Sequence, residues 1–241
     1  MTDLTHCLQE WAWRPGRLDV RRVTGRDGRV IFQVRVELGI LQLEADGRPD
    51  GLGFRDSTSA LAWFQAHPQP QLLDLAAVSA IASEMAQRRQ RSLACAMLED
   101  WPRVRRDAID NVQALDLVSA RASEPSDRDR FEAWRPHEIS MRARAEATIA
   151  IAGGRRDIAT AALDAGLRSV HESMKQQGHA DRAATSPESM LLRMLLDALT
   201  LKLPASQRIE LQARLRQAVL GENYELAAIL RDELRLMEGE S

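Results

Sequence analysis

Strict alternation over residues 30–38 is the feature that most narrows the fold. Val30, Phe32, Val34, Val36 and Leu38 interleave with Gln33, Arg35 and Glu37, the period of a half-buried strand. The parity changes after Glu37-Leu38-Gly39, where Leu41 and Leu43 take over. A continuous strand would swing its apolar face outward there, so the chain is expected to turn at Gly39. Upstream, Val20 and Val23 precede Gly25-Arg26-Asp27-Gly28, a hairpin-turn signal. Downstream, Asp46-Gly47-Arg48-Pro49-Asp50-Gly51 breaks the chain again. The pattern predicts a three-stranded antiparallel meander over about 17–24, 29–38 and 40–45. In that register Phe32, Val34 and Val36 point inward, and Gln33 and Arg35 outward. Three strands need cover on one face. Trp11, Trp13 and a helix over 57–65 bearing Leu61 and Trp63-Phe64 are the candidates to supply it.

From residue 70 the apolar period lengthens to that of a helix. Leu72, Leu73, Leu75, Val78 and Ile81 open one helix that ends near Trp101-Pro102. A second covers about 103–122, with Val104, Ala108, Ile109, Val112, Leu115 and Val118 along it. Glu124-Pro125-Ser126-Asp127 reads as a break. A third helix covers 138–151 and ends at Gly153-Gly154, and a fourth covers 157–177. Residues 178–187 are small and polar, the composition of a mobile connection. A fifth helix over 188–201 stops before Pro204.

At the C-terminal end Leu211, Leu215, Ala218 and Val219 recur at i, i+4, i+7 and i+8, one face of a helix. Gly221-Glu222-Asn223 then interrupts, with Asn223 as a good N-cap and Gly221 permitting a tight reversal. Tyr224, Ala227, Ala228, Arg231, Leu234 and Met237 mark a second helix. The run NYELAAILRDEL resembles the UVR motif, the helical hairpin of the excinuclease subunits UvrB and UvrC. The matching residues are Tyr224-Glu225, Ala227-Ala228, Leu230-Arg231-Asp232 and Leu234. In that family the hairpin is a protein-docking module, so the resemblance implies docking and no reaction. The chain as a whole is similar to bacterial proteins that end in a UVR motif. The second helix also carries Leu226, Ile229 and Leu236, more apolar surface than one partner helix covers. A hairpin of about 35 residues rarely holds a sufficient core alone. Its second face is therefore expected to dock on the rest of the chain, on a second copy or on another protein.

The expected fold class is α+β, mostly α: a small N-terminal antiparallel β meander packed on a helical domain, ending in a UVR-like helical hairpin. The expected divisions are 1–67, 70–201 and 204–238. The 241 residues, 44% of them hydrophobic, are enough to bury a core. A net charge of −2 removes any global electrostatic argument for nucleic acid. No apolar run reaches 18 residues, and MTDLTHCLQEWAW has neither a basic n-region nor an apolar h-region. Neither a membrane span nor a signal peptide is expected, and the cytoplasm is the expected compartment. Cys7 and Cys95 then read as two reduced thiols.

Motifs for chemistry are scarce. UVR proteins that bind zinc do so through CxxC ribbons. This chain has no CxxC, and His6, His67, His137, His171 and His179 fall in no ligand spacing. No phosphate-binding loop is present, and Gly51-Leu52-Gly53 is only a fragment of one. The nucleotide-binding and nuclease motifs on which excinuclease activity rests are absent too. Gly153-Gly154-Arg155-Arg156 reads as a helix terminator with a basic flank. Asp46, Arg48, Asp50 and Asp56 crowd one loop and read as turn residues before a cation site. No catalytic residue, metal or cofactor is assigned.

The leading expectation is a non-catalytic adaptor that docks another protein, or a second copy, through Leu215, Tyr224, Leu226, Ala228, Ile229, Leu230, Arg231 and Asp232. The alternative is an accessory protein of DNA repair. In that reading Arg88, Arg89, Arg103 and Arg105, on helices flanking Trp101, line a phosphate groove. The nearby Glu84, Glu99, Asp100 and Asp107 would blunt such a groove, which makes a solvated, intrahelically paired face the stronger reading of these arginines.

Overall fold

The computed structural model describes residues 5–68, 72–199 and 205–220, together with Leu226, Leu230 and Arg231; within 205–220 it describes the side chains of 212–219. The chain divides into two compact units, Met1–Leu192 and Arg193–Ser241. The fold is α+β and mostly α. Helix α1 (Thr5–Glu10) precedes strands β1 (Asp19–Thr24), β2 (Val30–Val36) and β3 (Gly39–Glu44). Helices α2 (Ala60–Ala66), α3 (Leu75–Met97), α4 (Trp101–Arg121), α5 (Pro125–Glu132), α6 (Arg135–Ala152) and α7 (Arg156–Gln176) follow. A 3-10 turn (Ala183–Thr185), α8 (Pro187–Leu199) and α9 (Ala205–Leu220) complete the described elements.

The strands form an antiparallel sheet in the order β1-β2-β3, as the alternation predicts. Val20, Val34 and Leu41 lie opposite one another, as do Arg22, Phe32 and Leu43. Phe32, Val34 and Leu43 are buried against Ala94, Cys95, Val104 and Ala145. Burying each large apolar side chain contributes roughly 1.5–3 kcal/mol. The cover on this face comes from α3, α4 and α6. Helix α2, expected to cover the sheet, instead joins a second core with α3, α4 and α5, built on Leu61, Phe64, Ile81, Met85, Leu115 and Phe131.

Three assignments need correction: the turn at Gly39, Val36 as inward, and Arg35 as outward and solvated. The turn falls on Glu37-Leu38, so Gly39 already pairs with Val36 as the first residue of β3. Leu38 is 91% exposed and Val36 is exposed at the sheet's end. Arg35, expected outward and solvated, is buried. Its guanidinium donates to the carbonyls of Trp11 at 2.5 Å and Gly39 at 2.9 Å, and to that of Val36. The physical reason is a covered second face: the segment after α1 crosses it, and Trp11 also lies 4.2 Å from the Arg21 guanidinium. On the same face Gln33 accepts from Arg21 at 2.8 Å and donates to Gln42 at 3.0 Å. Asp19, beside Arg35, accepts from Arg14, whose guanidinium holds its carboxyl below the ordinary range.

The helix boundaries shift for local reasons. Helix α3 ends at Met97 because Glu99 takes a left-handed φ of 58°, and α4 starts at Trp101 with Pro102 in its first turn, where a missing N–H costs nothing. The break at Glu124-Pro125 is followed at once by α5, again with proline in the first turn; Arg128 donates back to the Ala122 carbonyl at 2.7 Å. Residues 178–187, expected as a mobile connection, are a series of hydrogen-bonded turns. His179 N donates to Met174 O at 2.8 Å, and Ser186 Oγ accepts from Ser189 N at 3.2 Å, which starts α8. Gly154 (φ +70°) reverses the chain between α6 and α7. Those two helices meet so closely that a Cβ on Gly166 would sit 2.4 Å from the Cβ of Ala143.

Candidate functional sites

The C-terminal element is built from α9. Ala218 and Leu230 are both buried, and Leu215 packs against them. Residues twelve apart are thus brought together across the Gly221-Glu222-Asn223 interruption. Leu226, Leu230 and Arg231 are in helical conformation. Val219 (51%) and Leu226 (44%) are exposed. Of the expected docking residues, Leu215, Leu226, Leu230 and Arg231 are described; Tyr224, Ala228, Ile229 and Asp232 lie outside the described residues. So do Gly221 and Asn223, on which the expected reversal and cap depend.

The arginines of α3 and α4 do not form a groove of solvated heads. They feed a buried polar layer between the two apolar cores. Arg91, 1% exposed, grips Asp107 with two hydrogen bonds at 2.8 and 2.7 Å. Its remaining Nη1 donates to the Glu44 and Gly47 carbonyls at 3.0 and 2.7 Å, tying the loop after β3 to the helices. Arg88 is also buried, on Glu84 four residues earlier and 3.6 Å from Asp110. Glu84 in turn accepts from Ala60 N at 2.6 Å, the start of α2. Arg103 donates to Asp100 at 2.7 Å. Arg105 reaches Glu146 at 3.4 Å and Arg106 reaches Asp46 at 2.7 Å. Arg88 is therefore corrected from a surface contact to a buried ion-pair partner, and removing one member of such a pair typically costs about 3–5 kcal/mol. Arg103 and Arg105 keep part of their heads in solvent, each with a carboxylate alongside.

The acidic loop is a clamp. Asp46 takes Arg106, which lowers its pKa, and Asp50 accepts from Arg48 at 3.0 Å, Gln87 at 2.8 Å and Leu52 N at 2.9 Å. Among the described residues, no three His, Cys, Asp or Glu side chains gather as metal ligands. Cys7 and Cys95 are unpaired thiols; burial pushes the Cys95 thiol up to about 12, so it stays protonated.

One residue of the polar layer stands out, and the sequence reading missed it. Glu138, in the first turn of α6, is 2% exposed. Its Oε1 accepts from Asn111 Nδ2 at 3.1 Å and from Arg89 Nη1 at 3.4 Å. Burial raises its pKa to about 7, against the pull of Arg89 and Asn111. The neighbouring His137 is shifted the other way, downward, chiefly by burial and then by Arg89. Arg89 lies 3.9 Å over the Trp134 ring, beside a cleft formed by α3, α5 and Trp134, the residue before α6. An acidic residue in a first helical turn ordinarily reads as a dipole partner in solvent. A signal did exist for the layer as a whole. Glu84, Arg88 and Arg91 continue the buried stripe of Val78, Ile81 and Met85, and Asp107 and Asn111 fall on the stripe of Val104, Ala108 and Leu115.

No helix among the described residues is long and apolar enough to cross a membrane. Compared with known proteins, the chain matches no family model, no curated protein and no solved structure. The likeness of the C-terminal run to the UVR hairpin thus rests on its residues alone.

Proposed function

We propose that this protein is a non-catalytic adaptor of the cytoplasm that docks a partner protein through its C-terminal UVR-like helices. The observation that carries the reading is the packing of Leu230 on Ala218 and Leu215, while Val219 and Leu226 on the same two segments stay exposed. One face closes the element and another presents apolar side chains outward, the arrangement of a helix that lies into a partner's groove. Arg231 and Asp232 would set the register by charge. The DNA-repair alternative draws less support, because Arg88 is buried and Arg89, Arg103 and Arg105 each have an acidic partner within 3.4 Å.

The test compares Val219→Glu and Leu226→Glu with Ala218→Glu in the full chain. The first two should keep the parent's circular dichroism and lose self-association by sedimentation, or lose a partner cross-linked by the parent in cell extract. Ala218→Glu places a carboxylate in the closed face and should reduce helix content as well. Loss of helix content in Val219→Glu, or unchanged association in both surface variants, would remove the adaptor reading. Salt-sensitive binding of single-stranded DNA by the parent would favour the alternative.

A further inference from the structure

The cleft formed by α3, α5 and Trp134, the residue before α6, lies within the first unit and plays no part in the proposed docking. It has a volume of about 250 Å³ and is lined by Ala82, Met85, Arg89, Arg130, Phe131 and Trp134. Four of these six are apolar and two are cations. Sites for drug-sized ligands measure roughly 300–1,000 Å³, so this one suits a smaller molecule.

We propose that the cleft binds a small organic carboxylate with a compact apolar body, its carboxylate received by Arg89 and its body enclosed by Trp134, Phe131 and Met85. Arg89 carries the assignment. Only its Nη1 is engaged, on Glu138 at a long 3.4 Å; Nε and Nη2 have no protein acceptor among the described residues. The Trp134 ring, 3.9 Å beneath, holds the guanidinium plane in place at the cleft. A planar fork with two vacant donors is the geometry that accepts a carboxylate through two parallel hydrogen bonds. Its internal counter-ion is weak, because the burial of Glu138 favours the neutral acid. Arg130 adds a second cation at the rim, with one nitrogen on Asp127 at 2.8 Å. Arg89 is held on α3 by the Trp134 ring and Glu138, so the cleft's main cation is in place before the ligand arrives.

The test is calorimetric titration of the full chain with benzoate, cyclohexanecarboxylate, benzyl alcohol and inorganic phosphate, followed in parallel by tryptophan fluorescence. Both carboxylates should bind, and the fluorescence change should vanish in Trp134→Phe. Benzyl alcohol, which keeps the body without the charge, and phosphate, which keeps charge without the body, should each bind at least about tenfold more weakly. Arg89→Gln should weaken benzoate by about tenfold or more. Arg130→Gln alters a side chain that is mostly solvated and should keep the fold while weakening benzoate about threefold. Should Arg89→Gln fail to fold, the comparison with benzyl alcohol and the Arg130 variant still decides. Benzyl alcohol binding as tightly as benzoate, phosphate binding as tightly, or no saturable heat up to about 10 mM carboxylate would each overturn the assignment.

Discussion

Replacing Glu138 by glutamine should change the pH dependence of stability more than stability itself. The carboxyl is 2% exposed, and its pKa in the fold is about 7 against an ordinary 4.5. A group whose folded pKa lies above its unfolded value binds more protons in the native state across that interval. Its stabilising contribution is therefore complete below about pH 4.5 and is lost as pH rises through 7. A pKa displaced by one corresponds to about 1.4 kcal/mol, so ionising Glu138 inside the fold costs on the order of 3 kcal/mol by pH 8. Glutamine keeps an oxygen for Asn111 and Arg89 and never ionises. Urea melts of parent and Glu138→Gln across about pH 4.5 to 8 should therefore diverge, the variant gaining about 3 kcal/mol on the parent towards the alkaline end. Asp110, whose carboxyl is also pushed up by burial, titrates in both proteins and cancels in the difference. Profiles that stay parallel over the whole interval would refute the buried, partly neutral carboxyl.

Gly166→Ala puts a methyl 2.4 Å from the Ala143 Cβ and should destabilise by about 1–3 kcal/mol in a thermal melt, with Ala143→Gly restoring most of the loss. Full stability in the single variant would contradict the close approach of α6 and α7. Arg35→Asp should cost more than about 2 kcal/mol, because a buried carboxylate would face the carbonyls of Trp11, Val36 and Gly39. Val34→Asp, on the sheet's other face, should cost at least as much. A denaturant melt in which Arg35→Asp behaves like a surface change, within about 0.5 kcal/mol, would mean that face is solvated after all.

Period and punctuation carried the architecture in the sequence. The alternation of 30–38 and its parity change specify a meander because a one-residue slip exposes a whole face. The 3.6-residue stripes specify the long helices, and Gly153-Gly154 a reversal. These are local properties, and they depend on neighbours within a few residues. What tertiary structure decided was which polar groups leave solvent. Arg35 alternates as an outward residue and is buried because a distant N-terminal segment crosses that face. Arg88 reads as a surface contact, yet Glu84 receives it between two apolar cores, beside the buried pair of Arg91 and Asp107. Glu138 looks like a solvated first-turn acid until α3 and α4 close over it with Asn111 and Arg89. A charge carries the same letter in water and in a core. Whether it is buried depends on partners contributed by helices up to 49 residues away in the chain, and local spacing holds no record of them.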